Sequence, residues 1–193
     1  RYSTGGTGLR VVNSDDVFEK YLKDAGLSLK MPPEEWDENQ RERARAKKVT
    51  SARQKNYIEG RIGMVIDGTG KEYDKIRQQK ADLEALGYDT HMIFVNTSIE
   101  VALERNAKRE RTVPEDVAIS SWKQVQGNIG KFSSLFRGTM VIVDNNKPDD
   151  NIEVETFKEV KRLLGKKVRN TRANQWIEIE MKKRGITRKP KGF

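Results

Sequence analysis

Short apolar runs alternate along this chain with longer stretches of helical spacing. Four runs rich in Val, Ile, Met and Phe, at 9–12, 63–66, 91–95 and 139–143, each stop in polar residues: NSDD, DGTG, NTS and DNN. Between them, Val17, Phe18, Tyr21 and Leu22 mark one face of a helix that Gly26 ends. Tyr73, Ile76, Leu83 and Leu86 predict a second, closed by Gly87 as a left-handed C-cap. Ile99, Ala102 and Leu103 open a third, with Thr97 and Glu100 spaced as a capping box. A further helix from about residue 151 carries Ile152, Val154, Phe157, Val160, Leu163 and Leu164 up to Gly165.

Strands that are almost continuously apolar, alternating with helices, predict an α/β fold built on a parallel sheet covered on both faces. Such sheets bind ligands at the carboxyl ends of their strands. Asp15, Asp67, Asn96 and Asp144 all fall there. Each alone serves equally well as a cap or a turn residue; the repetition reads as a site.

Two segments interrupt the alternation. Residues 36–60 are dominated by charge, which suits either a solvated helical insertion with Glu/Arg surface pairs or a cover whose cations face anionic groups. Ahead of them, LKMPPEEW reads as a turn or loop, because Pro32 and Pro33 cannot continue a helix. In the stretch 97–126, Arg105 and Arg109 are four apart on the predicted helix and so share a face. Lys108 and Arg111 add charge, and Pro114 then breaks the pattern. A helix, a cationic hinge and a second amphipathic helix describe a lid over about 104–126. Arginines on a lid offer forked donors to phosphate oxygens. The competing reading is a surface helix with a Glu104–Lys108 pair.

Composition narrows the chemistry. The chain has 193 residues, no cysteine and one histidine, His91, which excludes disulfides and makes thiolate or imidazole metal sites poor candidates. No apolar run approaches the ~18 residues of a membrane helix, and no signal-peptide pattern is present, so a cytoplasmic location is expected. A net charge of +9, concentrated in 158–193, suits phosphate or nucleic-acid partners as well as plain solubility.

The blocks VVNSDDVFE, MVIDGTGKEYDKI, MIFVNTSIEVALERNAKRERTVPEDV and VIVDNN, in this order, resemble the P-loop kinases. The likeness is to the kinase domain of bacteriophage polynucleotide 5′-hydroxyl kinase and to zeta-toxin-like kinases, over roughly residues 8–146. It implies a three-layer α/β sandwich, a helical lid, ATP with Mg2+, and transfer to a hydroxyl acceptor, in host cytoplasm if the protein is viral. By the same resemblance Asp15 matches the catalytic base, and Arg105, Arg109 and Arg111 the phosphate-binding lid cations. Asp67, with Thr69 beside it, matches the substrate or metal-water shell, and Asn145 lies where the loop approaches the nucleotide. Asp16 would occupy the first helical turn, where the helix dipole favours an acid. Ser14 stands where the polynucleotide kinases have an arginine, which removes one contact to a substrate phosphate.

The resemblance also exposes a gap. These kinases hold nucleotide phosphates in a Gly-rich loop ending in Gly-Lys-Ser/Thr. STGGTG at 3–8 lacks the lysine, and DGTGK at 67–71 follows an acid. The expected place for that loop is about 25–35 residues before Leu9, upstream of the sequence given. The alternative is a kinase relative that has lost ATP binding. The expected organisation is a kinase-like domain over 1–165 followed by a basic extension, 166–193. In that extension TRANQWIEIEMKKRGI forms a helix with Trp176, Ile179 and Met181 on one side, docked on the domain or a partner, or facing a nucleic-acid backbone. Three functions fit: a kinase acting on a nucleic-acid or nucleotide-like hydroxyl, a toxin-like or small-molecule kinase, and a catalytically silent binding module.

Overall fold

The computed structural model describes residues 8–147 and 152–187. STGGTG up to residue 7, the start of the loop to the sixth helix (148–151) and the last six residues lie outside the described residues.

All four predicted strands form, each within one residue of its apolar run: β1 (Arg10–Val12), β2 (Met64–Ile66), β3 (Met92–Asn96) and β4 (Met140–Asp144). The helices are α1 (Asp15–Asp24), α2 (Trp36–Glu59), α3 (Tyr73–Ala85), α4 (Ile99–Lys108), α5 (Glu115–Leu135), α6 (Ile152–Leu164) and α7 (Thr171–Lys183). Gly26 and Gly87 follow α1 and α3 with φ of +71° and +110°, a conformation that costs a residue without Cβ almost nothing. The Pro32-Pro33 segment leads into a single 3-10 turn, Pro33–Glu35, and α2 starts directly after it.

Every strand pairing is parallel, but the strands do not join one ladder. β1 pairs with β2 (Arg10 opposite Met64, Val12 opposite Ile66), and β3 pairs with β4 over five residues. The expected continuous sheet is therefore seen as two separate parallel pairs among the described residues. Coverage on both faces also fails locally: Val65, Val95 and Ile142 are 42%, 54% and 53% exposed. Composition placed β-branched residues on both strand faces, whereas burial depends on which elements are packed there.

The chain divides into two compact units. One takes the described residues as far as Thr69 with Glu100–Ser120; the other takes Gly70–Ile99 with the described residues from Ser121 onward. In the first unit α1 packs on α2 through Phe18, Leu22 and Ala46, with Val17, Tyr21, Leu27, Leu29 and Met31 around them. This corrects the reading of 36–60 as a solvated insertion. Ala46 is fully buried, and its small side chain lets the two helices approach although the rest of α2 is charged.

The second unit is built on Phe94, Phe132 and Phe136, ringed by Tyr73, Ile76, Met92, Val125, Ile129 and Met140. The Phe132 ring lies 5.6 Å from Tyr73 and 6.5 Å from Phe94, both tilted, a favoured aromatic geometry. α6 packs on β4 and buries Leu163. α7 is anchored at the carboxyl end of α3. The Asp89 carboxylate accepts from the Arg169 and Asn170 amides, and Asn170 caps α7 while donating to the Glu84 and Tyr88 carbonyls. The buried α7 residue is Ile177; Trp176 and Ile179, expected on an apolar face, are exposed.

Phe132→Ala should cost about 3–5 kcal/mol, read as a fall in the denaturant midpoint, because the void opens among three other rings. His91 offers a pH test. Burial lowers the pKa of its imidazole below 6.5, Lys166 and Arg169 push the same way, and Asp89 opposes them. The unfolded chain therefore binds the extra proton first, and stability should fall as pH drops below about 6.5. Between pH 7.5 and 5.5 the thermal midpoint should fall further in the wild type than in His91→Gln. Equal slopes would show that this ring is not the group responsible.

Candidate active site

The tips of β1 and β2 are organised by a residue that pattern reading passed over. Asn13 lies between strand and helix, and its carbonyl oxygen accepts from the Asp15 amide at 2.7 Å. Its amide nitrogen donates to the Asp67 carboxylate at 2.9 Å. One side chain thus satisfies an orphan N–H at the start of α1 and ties together two strand-tip segments. Ser14, the formal cap, makes no such bond. Thr50 on α2 donates to the Asn13 carbonyl at 3.4 Å and to Ala46 at 2.9 Å, fixing the loop against the neighbouring helix.

Asp15 and Asp16 both occupy the first turn of α1, and both are exposed. What distinguishes Asp15 is its partner. The Arg111 guanidinium lies 3.1 Å from the Asp15 carboxylate and, through Nε, 3.1 Å from Glu19 one turn along the helix. A planar fork spanning two carboxylates at i and i+4 uses the geometry in which arginine is strongest. The arginine side chain is 17% exposed and Asp15 55%, so the cation is sheltered while the carboxylate stays reachable.

The lid arginines differ from expectation in one respect. α4 ends at Lys108, so Arg109 is not on the helix face of Arg105; its amide bonds the Asn106 carbonyl in a closing turn, and its side chain is exposed. The cause is Asn106. Its side chain accepts from the Val113 amide at 3.0 Å and donates to the Val113 carbonyl at 2.7 Å. That two-point clasp competes with continued helix and reverses the chain over 109–113. The reversal delivers Arg111, rather than Arg105 or Arg109, to Asp15. Lys30 donates to the Arg109 carbonyl at 3.2 Å and ties the same turn to the loop after α1. Glu104 and Lys108 form the expected surface pair.

Beside this turn lies a cavity of about 610 Å³, lined by Met31, Pro32, Pro33, Trp36, Val113 and Pro114, with Lys30 and Asp37 at its polar edge. Its size suits a small organic ligand. Met31 holds a left-handed backbone (φ 49°), and its sulfur accepts weakly from Arg43 at 3.9 Å. Arg43, one of many cations in a charged helix, gave no signal in the sequence.

The other strand tips are engaged within the second unit. Asn96 accepts from Gln126 at 2.9 Å, and Asp144 accepts from the Asn146 amide at 3.0 Å in a local turn. Asn146 also receives the Ser98 amide, and the Asn145 amide bonds the Asn96 carbonyl. Asn128, nearly buried, donates to the carbonyls of Gly70 and Lys71 in the loop after DGT. Asp15 and Asp67 are thus joined through Asn13 in one unit, whereas Asn96, Asp144 and Asn145 belong to the other. Thr69 ends the first unit with its side chain exposed.

Parallel strand pairs with acids at their carboxyl tips and an arginine-bearing turn after the third strand define a kinase-like α/β protein. Residues 11–174 match the family model described as Zeta toxin, and the chain belongs to that family. Membership carries a P-loop kinase-like phosphotransferase class, and with it a nucleotide substrate. It does not extend to the narrower likeness to bacteriophage polynucleotide kinase. No curated protein and no solved structure matched the chain.

The clasp on Val113 can be tested directly. Asn106→Ala should lower stability by about 1–3 kcal/mol, since two part-buried backbone groups lose their partner. Tryptic cleavage after Arg109 and Arg111 should accelerate in the native protein. An unchanged cleavage rate would show that the turn is held by something else.

Proposed function

We propose that this protein transfers the terminal phosphoryl group of ATP to a hydroxyl of a nucleotide-like acceptor, with Asp15 as the general base. The observation that supports this most is the 3.1 Å contact between Arg111 and Asp15 at the tip of β1. Phosphoryl transfer demands little covalent work from a protein, so positioning and charge stabilisation carry the rate. Asp15 accepts the proton of the attacking hydroxyl once that oxygen is within hydrogen-bond reach. Arg111 fixes the direction of the carboxylate and offers positive charge where negative charge gathers during transfer. Asp67, held by Asn13, orients the acceptor or water from the neighbouring strand. The cavity bounded by Met31, Trp36 and Val113 takes the body of the acceptor, and its volume favours a small molecule over a polymer.

ATP, with Mg2+, is the donor that the family implies. The chain's free-standing lid cations, Arg105 and Arg109, suit its phosphates by charge and donor geometry. Among the described residues no three His, Cys, Asp or Glu side chains cluster to hold a metal. This agrees with the habit of Mg2+ of binding through one or two carboxylates and substrate phosphates rather than a protein cage. When bound, the nucleotide supplies the phosphoryl group; everything assigned above to Asp15, Arg111 and Asp67 is done by the chain itself.

A nucleic-acid acceptor is the second reading, favoured by the net charge of +9 and the cations of the carboxyl-terminal region. A transfer assay with radiolabelled ATP and the intact protein separates the two, offering sugar nucleotides, 5′-hydroxyl DNA and 5′-hydroxyl RNA as acceptors. Label should enter the sugar nucleotides. Asp15→Asn should reduce transfer by about 10²–10⁴-fold with ATP affinity nearly unchanged, and Arg111→Ala by about 10²–10³-fold. Full turnover in Asp15→Asn would remove it as the base.

A further inference from the structure

Arg43 is the polar group in this unit whose needs are least met. It projects from α2 with its guanidinium 4.8 Å from the centroid of the Phe18 ring; the Arg111 guanidinium lies 5.8 Å from the same centroid. Two cations therefore share one aromatic ring beside Asp15. Arg111 is matched by Asp15 and Glu19. Arg43 is not. Among the described residues no carboxylate lies within ion-pair distance of it, its one printed hydrogen bond is the long contact to the Met31 sulfur, and its buried Nε has no acceptor. Burial lowers its pKa, the neighbouring Arg111 charge lowers it further, and Asp15 opposes both. One turn earlier on the same face of α2, Asn39 is fully buried and neither end of its amide has a partner.

A half-buried arginine that lacks an anion costs stability unless something supplies one. Its surroundings say what that something is. Arg43 touches Met31, which lines the cavity, and lies within electrostatic range of Asp15. It stands between the space assigned to the acceptor and the carboxylate assigned to its hydroxyl. We propose that Arg43 is a specificity-determining residue that binds a phosphate-type oxyanion carried by the acceptor, with Arg111 as the second cation and the Phe18 ring as the platform beneath both. This rests on the phosphotransferase reading for the word acceptor, but the oxyanion site stands or falls by itself. The acceptor class it names is an alcohol that already bears a phosphate-type group.

Inorganic phosphate is the probe, and thermal unfolding of the full chain the readout, so the outcome does not depend on phosphoryl transfer. About 10 mM phosphate should raise the midpoint of the wild type by about 2–4 °C relative to chloride of equal ionic strength. Arg43→Met should lose most of that increment, Arg43→Lys should keep part of it, and Lys47→Met, an exposed change on the same helix, should keep it all. Arg43→Gln serves the same comparison if the methionine variant fails to fold. A phosphate increment in Arg43→Met or Arg43→Gln equal to that of the wild type overturns the proposal, as does no increment in the wild type. Loss of transfer to every acceptor with the phosphate increment intact would instead refute the kinase reading and leave the oxyanion site standing.

Discussion

The fork of Arg111 across Asp15 and Glu19 is the constraint on which the candidate site depends. It joins the turn after α4 to the first turns of α1, and so sets where the acid at the tip of β1 can point. A guanidinium is suited to this because its donors lie in one plane and its charge is permanent. Two carboxylates one helical turn apart present oxygens at the matching spacing. Remove the fork and the two segments have only Lys30 to hold the turn near the loop after α1.

Asparagines make that fork reachable. Asn106 clasps Val113 and ends the helix early; Asn13 holds the Asp15 amide on one side and Asp67 on the other. Each acts as donor and acceptor together, which no aspartate or lysine in the same place can do at neutral pH. The same device recurs in the second unit, where Asn128 pins Gly70 and Lys71, and Asn170 both caps α7 and grips the end of α3. Charged residues supply the chemistry of this chain, and amides supply its geometry.

The cores explain why so polar a chain folds. Each unit concentrates a few large side chains: Phe18 and Leu22 against Ala46 in one, three phenylalanines in the other. Burial of that size supplies the dominant favourable term, while the many i, i+3 and i, i+4 surface pairs contribute little each. α2 shows the trade most clearly. Its inward face carries Asn39, Arg43, Ala46 and Thr50, an interior that only one small apolar residue makes compatible with packing.

The amino-acid sequence by itself determined the strands, the helices and their caps, because periodicity and the freedom of glycine at φ > 0 are local properties. It also determined that acids stand at the strand tips and that arginines crowd the segment after β3. The kinase-like class was legible in those blocks, and the family match agrees with it. Tertiary structure alone decided which arginine meets which acid. Helical spacing pointed to Arg105 with Arg109, but a two-bond clasp from Asn106 ended the helix and put Arg111 there instead. It alone decided, too, that the strands pair two by two and that Arg43 lies half-buried without an anion. Pairing and burial depend on segments far apart in the chain, and a one-dimensional pattern records nothing of the distance between them.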